Sequence, residues 1–83
     1  MTNKDNRYSK ARKHYEAGKF EEAIYWYTMA ISADDRNAEL FSERGVAFYH
    51  HGKLKESLED MNRARDLEPN NPYRYSSRAY IKD

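Results

Sequence analysis

Gly18-Lys19-Phe20-Glu21-Glu22-Ala23-Ile24 and Gly52-Lys53-Leu54-Lys55-Glu56-Ser57-Leu58 decide the fold. Their glycines stand 34 residues apart, and the register holds on both sides of them. Tyr15 aligns with Tyr49, Ala11 with Gly45, Tyr27 with Met61, Ala30 with Ala64 and Ala33 with Leu67. One further step places Tyr75 under Phe41 and Ala79 under Gly45. Self-similarity at such a period is the signature of a stacked repeat, in which one unit cannot bury its own apolar face.

Each unit reads as two helices. Phe20, Ala23, Ile24, Tyr27, Ala30 and Ile31 recur at three- and four-residue steps, and Leu54, Leu58, Met61, Ala64 and Leu67 repeat the stripe. Phe41, Gly45 and Phe48 mark the matching face of the preceding helix. Asn37 and Asn71 suit N-caps, with Pro72 in the first helical position. Pro69 ends the helix before it. Gly18 and Gly52 fit turns that need a positive φ. These signals predict helices near 5–17, 20–33, 38–51, 54–67 and 72–82. Small residues at 11, 45 and 79, and at 23 and 30, let neighbouring helices approach closely.

The residues that align resemble the tetratricopeptide repeat family. Ala11 to Ala30 reads Ala-x3-Tyr-x2-Gly-x-Phe-x2-Ala-x3-Tyr-x2-Ala, and Gly45 to Pro69 reads Gly-x3-Tyr-x2-Gly-x-Leu-x2-Ser-x3-Met-x2-Ala-x4-Pro. The resemblance implies an all-α, right-handed helical-hairpin solenoid of five helices in one domain. Repeat one would cover 4–37 and repeat two 38–71, with 72–83 the first helix of an incomplete third repeat or a capping helix. Three positions depart from the pattern. Ser57 stands where Ala is usual, Asp35 where Pro is expected, and Lys10, Arg44 and Arg78 at a site often filled by Leu. Long basic side chains there can lay their stems over the core and keep the charge outside.

Composition bounds the function. Eighty-three residues make one small domain or a piece of a larger one. The absence of cysteine excludes disulfides, thiolate metal sites and thiol nucleophiles. Ala23 to Ala33 is the longest uncharged run, too short and too polar to span a bilayer. No signal peptide is visible behind Met1, so a cytoplasmic location is expected and no membrane partner. The net charge of +1 hides a pattern. Residues 1–19 carry six Lys/Arg against two acids, residues 20–71 six against eleven, and residues 72–83 three against one. Steering of the whole protein toward nucleic acid is therefore weak.

In this family the first helix of each pair lines a concave groove that typically holds an extended peptide or partner helix. By register, the resemblance places Tyr8, Arg12, Tyr15 and Glu16, then Ser42, Glu43, Val46, Tyr49 and His50, then Tyr73, Ser76, Ser77 and Tyr80 on that groove. Tyr offers flat contact area and a hydroxyl at low entropic cost, which suits recognition. Tyr15 and Tyr49 also have a plain packing role open to them. Some family members hold a C-terminal carboxylate with Lys and Asn on the first helix and Asn on the third. Tyr8, Arg12 and Glu43 stand at those sites, and only Arg12 can pair a carboxylate while Glu43 repels one. A protein or peptide partner with apolar or aromatic anchors fits better than an acidic tail.

Other functions have less support. Arg7, Lys10, Arg12, Lys13 and His14 share a helix with Tyr8 and Tyr15, the composition of a nucleic-acid contact. A solvated terminal helix with Arg12 paired to Glu16 accounts for the same residues, and the acidic middle breaks any basic track. Adjacent His50 and His51 diverge on a helix and cannot share one metal ion. No phosphate loop or catalytic motif is present, so neither cofactor nor catalytic activity is expected. Glu59 and Arg63 read as a one-turn pair. Trp26 points away from the apolar stripe, either packing on the following helix or forming a second contact surface. Self-association through helix 72–82, using Tyr73, Tyr75 and Ile81, is the alternative to groove binding, with a homodimer as its product.

Overall fold

The computed structural model describes residues 3–69. Four helices run in order: α1 (Asn3–Glu16), α2 (Phe20–Ala33), α3 (Ala38–His50) and α4 (Leu54–Leu67). The fold is all-α, with the helices packed sequentially, α1 on α2, α2 on α3 and α3 on α4. The four expected helices agree with these spans to within two residues at each end. The fifth, 72–82, lies outside the described residues.

The repeat begins in the turns. Gly18 and Gly52 have φ of 79° and 84°, and no other described residue has a positive φ. Gly18 N–H donates to the Tyr15 carbonyl at 3.0 Å and Lys19 N–H to the His14 carbonyl at 2.9 Å. Gly52 N–H donates to Tyr49 and Lys53 N–H to Phe48 at the same two distances. Each turn is a Schellman motif that satisfies the last carbonyls of one helix while reversing the chain into the next. A side chain at either glycine would be strained by the left-handed backbone, although the space around it is open. Asn37 caps α3 as expected, accepting from the backbone of Glu39 at 3.0 Å and Leu40 at 3.3 Å.

Ala11, Ala23, Tyr27, Ala30, Ile31, Ala38, Leu40, Phe41, Ala47, Met61 and Ala64 form the buried core. Its tightest point is the α3–α4 seam. A methyl group on Gly45 would come within 3.1 Å of Met61 Cε and 3.2 Å of both Asp60 Cβ and the Ser57 carbonyl. Ser57, the departure from the usual Ala, is fully buried and donates its hydroxyl to the Gly45 carbonyl at 2.6 Å. Its polar atom is therefore satisfied across the seam. Leu54 departs from the expected stripe and is exposed. In the first repeat its counterpart Phe20 is covered by α1 and α3 through Tyr15 and His50, and no described element plays that part for Leu54.

Candidate functional site

The positions of α1 and α3 that the family resemblance assigns to a groove meet through a polar cluster around Glu43. The Tyr8 hydroxyl donates to Glu43 Oε2 at 2.9 Å, and the Tyr27 hydroxyl donates to Oε1 at 2.8 Å. Arg12 Nη1 lies 3.5 Å from Oε2 and 3.4 Å from the Tyr8 oxygen, and Nη2 reaches Glu16 at 3.1 Å. Both carboxylate oxygens of Glu43 thus accept hydrogen bonds, and its side chain is only 15% exposed. Glu43 joins α1, α2 and α3 more than it faces a ligand.

Burial, and then a hydrogen bond that the protonated carboxyl gives to Glu39, holds Glu43 above its ordinary pKa, against the opposing pull of Tyr27, Tyr8 and Arg12. Tyr27 is raised by its own burial and then by the charge of Glu43, so its phenol stays protonated as the donor. Tyr8 is raised for the same reasons in weaker measure. The Arg12 guanidinium is held firmly protonated by its bonds to Glu16 and Tyr8 and by the charge of Glu43.

Beyond this cluster lies an aromatic group. Tyr15 meets Phe20 edge to face at 5.6 Å, and the His50 ring stacks on Phe20 at 5.0 Å with an interplanar angle of 23°. His50 also lies 6.3 Å from Tyr15 and 5.5 Å from Tyr49. Tyr15, Phe20, Val46 and Tyr49 are half-buried and His50 is exposed, so the group presents aromatic surface to the outside.

The structure therefore divides the expected site residues. Tyr8, Arg12 and Glu43 form one cluster, while Tyr15, Tyr49 and His50 form another. Ser42 does not line an open surface: it is 4% exposed, because it continues the buried stripe of Ala38 and Gly45 at four- and three-residue steps. Tyr73, Ser77 and Tyr80 lie outside the described residues. Sequence reading missed two members, Tyr27 and Phe20. Tyr27 was legible in principle, since a buried phenol needs an acceptor.

Two further expectations change. Arg44 does not keep its charge outside. Its Nε and Nη2 fork onto Asp60 at 2.7 and 2.8 Å, Nη1 reaches Thr28 Oγ1 at 3.0 Å, and the guanidinium lies between the Phe41 and Phe48 rings. A carboxylate that is 5% exposed draws the cation inward, because neither charge is tolerated there alone. Arg63 lies over Phe41 at 5.7 Å instead of pairing with Glu59. Trp26 is covered from the side of α1, with Lys10 Nζ 4.6 Å above its ring, and packs against the buried core. The basic residues of α1 are thereby split. Arg12 belongs to the Glu43 cluster, whereas Lys10, Lys13 and His14 surround Trp26.

Comparison with known proteins matches this architecture. A family profile described as TPR repeat matches residues 11–52, and a second, described as tetratricopeptide repeat, matches residues 38–71. The chain belongs to the tetratricopeptide repeat family. It is 39% identical over 66 residues to mitochondrial import receptor subunit TOM70 of Rattus norvegicus, which covers 74% of this chain and 11% of that protein. It is 38% identical over 61 residues to the SGT1 homolog of Oryza sativa subsp. japonica, covering 74% of this chain and 17% of the relative. Hsp70-Hsp90 organizing protein 1 of Arabidopsis thaliana is 34% identical over 70 residues, covering 82% and 12%. The chain spans less than a fifth of the length of these relatives. Repeats of this family are protein-interaction modules and generally non-catalytic. Among the described residues no helix is long and apolar enough to cross a membrane.

Proposed function

We propose that this chain recognises a protein segment carrying apolar or aromatic anchors, seated along α1 and α3 against Tyr15, Val46, Tyr49 and His50. One observation carries this reading: the Arg12 cation on that side is already committed to two carboxylates. Arg12 is shared between Glu16 and Glu43, and Glu43 accepts two tyrosine hydroxyls. An incoming carboxylate would compete with Glu43 for Arg12 and leave a half-buried carboxylate short of a partner, which is costly. An apolar or aromatic side chain meets the aromatic group without that loss. The continuation of this surface into Tyr73, Ser77 and Tyr80 belongs to the same proposal.

Similarity to an Hsp70-Hsp90 organizing protein makes a chaperone a reasonable partner. The commitment of Arg12 favours an internal or aromatic-bearing segment of it over an acidic tail. The test is a displayed peptide library selected on the full chain, with the best binders titrated by calorimetry. His50→Ala and Val46→Asp are expected to weaken the selected peptides by about tenfold, close to 1.4 kcal/mol. Selection of peptides ending in acidic residues, with affinity lost on Arg12→Gln and unchanged on His50→Ala, would sink this reading in favour of a carboxylate clamp.

A further inference from the structure

A second site lies on the other side of α1. At about 100° per residue, Tyr8, Arg12 and Tyr15 share one face of the helix, and Lys10, Lys13, His14 and Ala17 centre about 180° away from it. These four, with Lys19 and Trp26, line a pocket of about 410 Å³ between α1 and the start of α2. Three lysines and a histidine surround one indole, and no acidic residue lines the space. All three lysines are exposed and none forms an ion pair among the described residues. This contrasts with Arg12 and Arg44, whose charges are matched by carboxylates.

We infer that this pocket binds a short acidic segment of a partner protein, with its Asp or Glu side chains on Lys10, Lys13 and Lys19 beside Trp26. Charge complementarity selects an anion. The arrangement then selects among anions. Lys10 to Ala17 runs for seven residues, about 10 Å of helix, so the positive charge is drawn out along a line. An extended chain covers that length in about three residues and presents carboxylates along it. Nucleic acid fits less well. Lys10 already caps the indole face on which a base would stack, and Tyr8 and Tyr15 are committed on the opposite side of the helix. Histidine adds to the preference: His14 Nδ1 lies 2.8 Å from the Lys10 carbonyl, so that nitrogen donates inward and Nε2 is left for a ligand. This site is independent of the surface proposed above for apolar anchors.

Trp26 is the single tryptophan of the chain, so its fluorescence reports the pocket directly. The test is titration of the full chain with a fluorescein-labelled peptide of alternating Asp and Glu, read by anisotropy and, with the unlabelled peptide, by Trp26 emission. Saturable binding is expected. It should weaken at least about tenfold in Lys10→Glu/Lys13→Glu and less than about twofold in Arg36→Glu/Lys55→Glu, which makes the same charge change at exposed sites elsewhere. Neutral Lys10→Gln should give an intermediate loss with helicity unchanged. Raising salt from about 50 to 200 mM should weaken binding, because exposed charges are screened within a Debye length. Four results would each overturn the inference: no saturable binding, equal loss in both double variants, tighter binding of single-stranded oligothymidylate, or an emission shift that follows the concentration of the protein alone, which would put a second copy in the pocket.

Discussion

Lys10 and Trp26 in the first repeat occupy the register positions of Arg44 and Asp60 in the second, 34 residues on. Each cation meets its partner across a helix pair at a separation of 16 residues. The outcomes differ. Lys10 lays a point charge over an indole at the surface, and Arg44 forks onto a buried carboxylate. Guanidinium matches a carboxylate with two parallel N–H bonds, whereas ammonium is compact and strongly hydrated and stays at the edge of water. The two seams follow suit. Ala11 and Ala23 in the first are replaced by Gly45 and Ser57 in the second, where a hydroxyl bridges to the facing backbone. The period thus fixes backbone and turns, while each repeat spends its polar residues differently. The first keeps a cationic surface, and the second builds a polar interior.

The largest effect should come from breaking the second repeat's pair. Asp60→Ala leaves the half-buried Arg44 with only Thr28, and losing one partner of a buried pair costs about 3–5 kcal/mol. Lys10→Ala, the matching change in the first repeat, removes a surface cation–π contact worth about 0.5–1 kcal/mol. Urea unfolding of the two variants measures the contrast directly. Arg44→Leu/Asp60→Leu sharpens it, since removing both charges should cost less than removing one. Equal losses for Asp60→Ala and Lys10→Ala would show that the two positions are energetically alike despite their geometry.

Next in size is Tyr27→Phe, in register with Met61 of the second repeat. It deletes one of the two hydroxyls that Glu43 accepts, and a hydrogen bond to a charged group contributes about 1.5–3 kcal/mol. Met61→Leu, an apolar exchange of similar volume at the matching position, should cost less than about 1.5 kcal/mol. Thermal unfolding followed by circular dichroism orders the two. A smaller loss for Tyr27→Phe than for Met61→Leu would remove Glu43 from its place as a joint between α1, α2 and α3.

Gly45→Ala tests the seam. Added helix propensity gains about 1 kcal/mol, and overpacking costs about 1–3 kcal/mol. Met61 Cε can swing away from the new methyl, but Asp60 Cβ and the Ser57 carbonyl are fixed to α4. A net loss of about 1 kcal/mol is expected, measured by chemical denaturation. A gain in stability would mean that α4 shifts freely against α3, and that the second seam is no tighter in effect than the first, where Ala11 already stands.

The comparison also separates what the sequence displays from what it conceals. Gly18, Gly52 and Asn37 act locally, on carbonyls and amides within a few residues, so their roles could be read from spacing alone. Helix faces were legible for the same reason. The polar contacts were concealed because each joins residues on different helices. Lys10 to Trp26, Tyr27 to Glu43, Thr28 to Arg44 and Arg44 to Asp60 are all separated by 16 residues. An apolar count records Tyr27 as core and Arg44 as an intruder, and neither reading contains the acceptor. Ser42 misled in the opposite direction: its polarity and register suggested an exposed lining, yet its place between Ala38 and Gly45 buries it. A scan for charged or phenolic residues 16 apart would have found two of these four contacts, Tyr27 to Glu43 and Arg44 to Asp60.

Glu43 gives the smallest effect, a change in a difference. Its folded carboxyl is held above the ordinary 4.5, first by burial and then by Glu39, with Tyr27, Tyr8 and Arg12 opposing. A carboxyl raised on folding takes up a proton as the chain folds, at any pH between 4.5 and its folded value. Its contribution to stability therefore grows as pH falls through that window and levels off below 4.5. Glu43→Gln cannot titrate there. Asp60, also raised by burial against the pull of Arg44, is present in both proteins and cancels from their difference. The stability of the parent relative to Glu43→Gln should thus move in the parent's favour as pH is lowered from neutrality toward 4.5, read from urea unfolding at several pH values. Movement the other way would mean that the hydroxyls and Arg12 outweigh burial. Glu43 would then be a carboxylate stabilised by its ring of donors, and the junction between the repeats would be as firmly charged as the Arg44–Asp60 pair within the second.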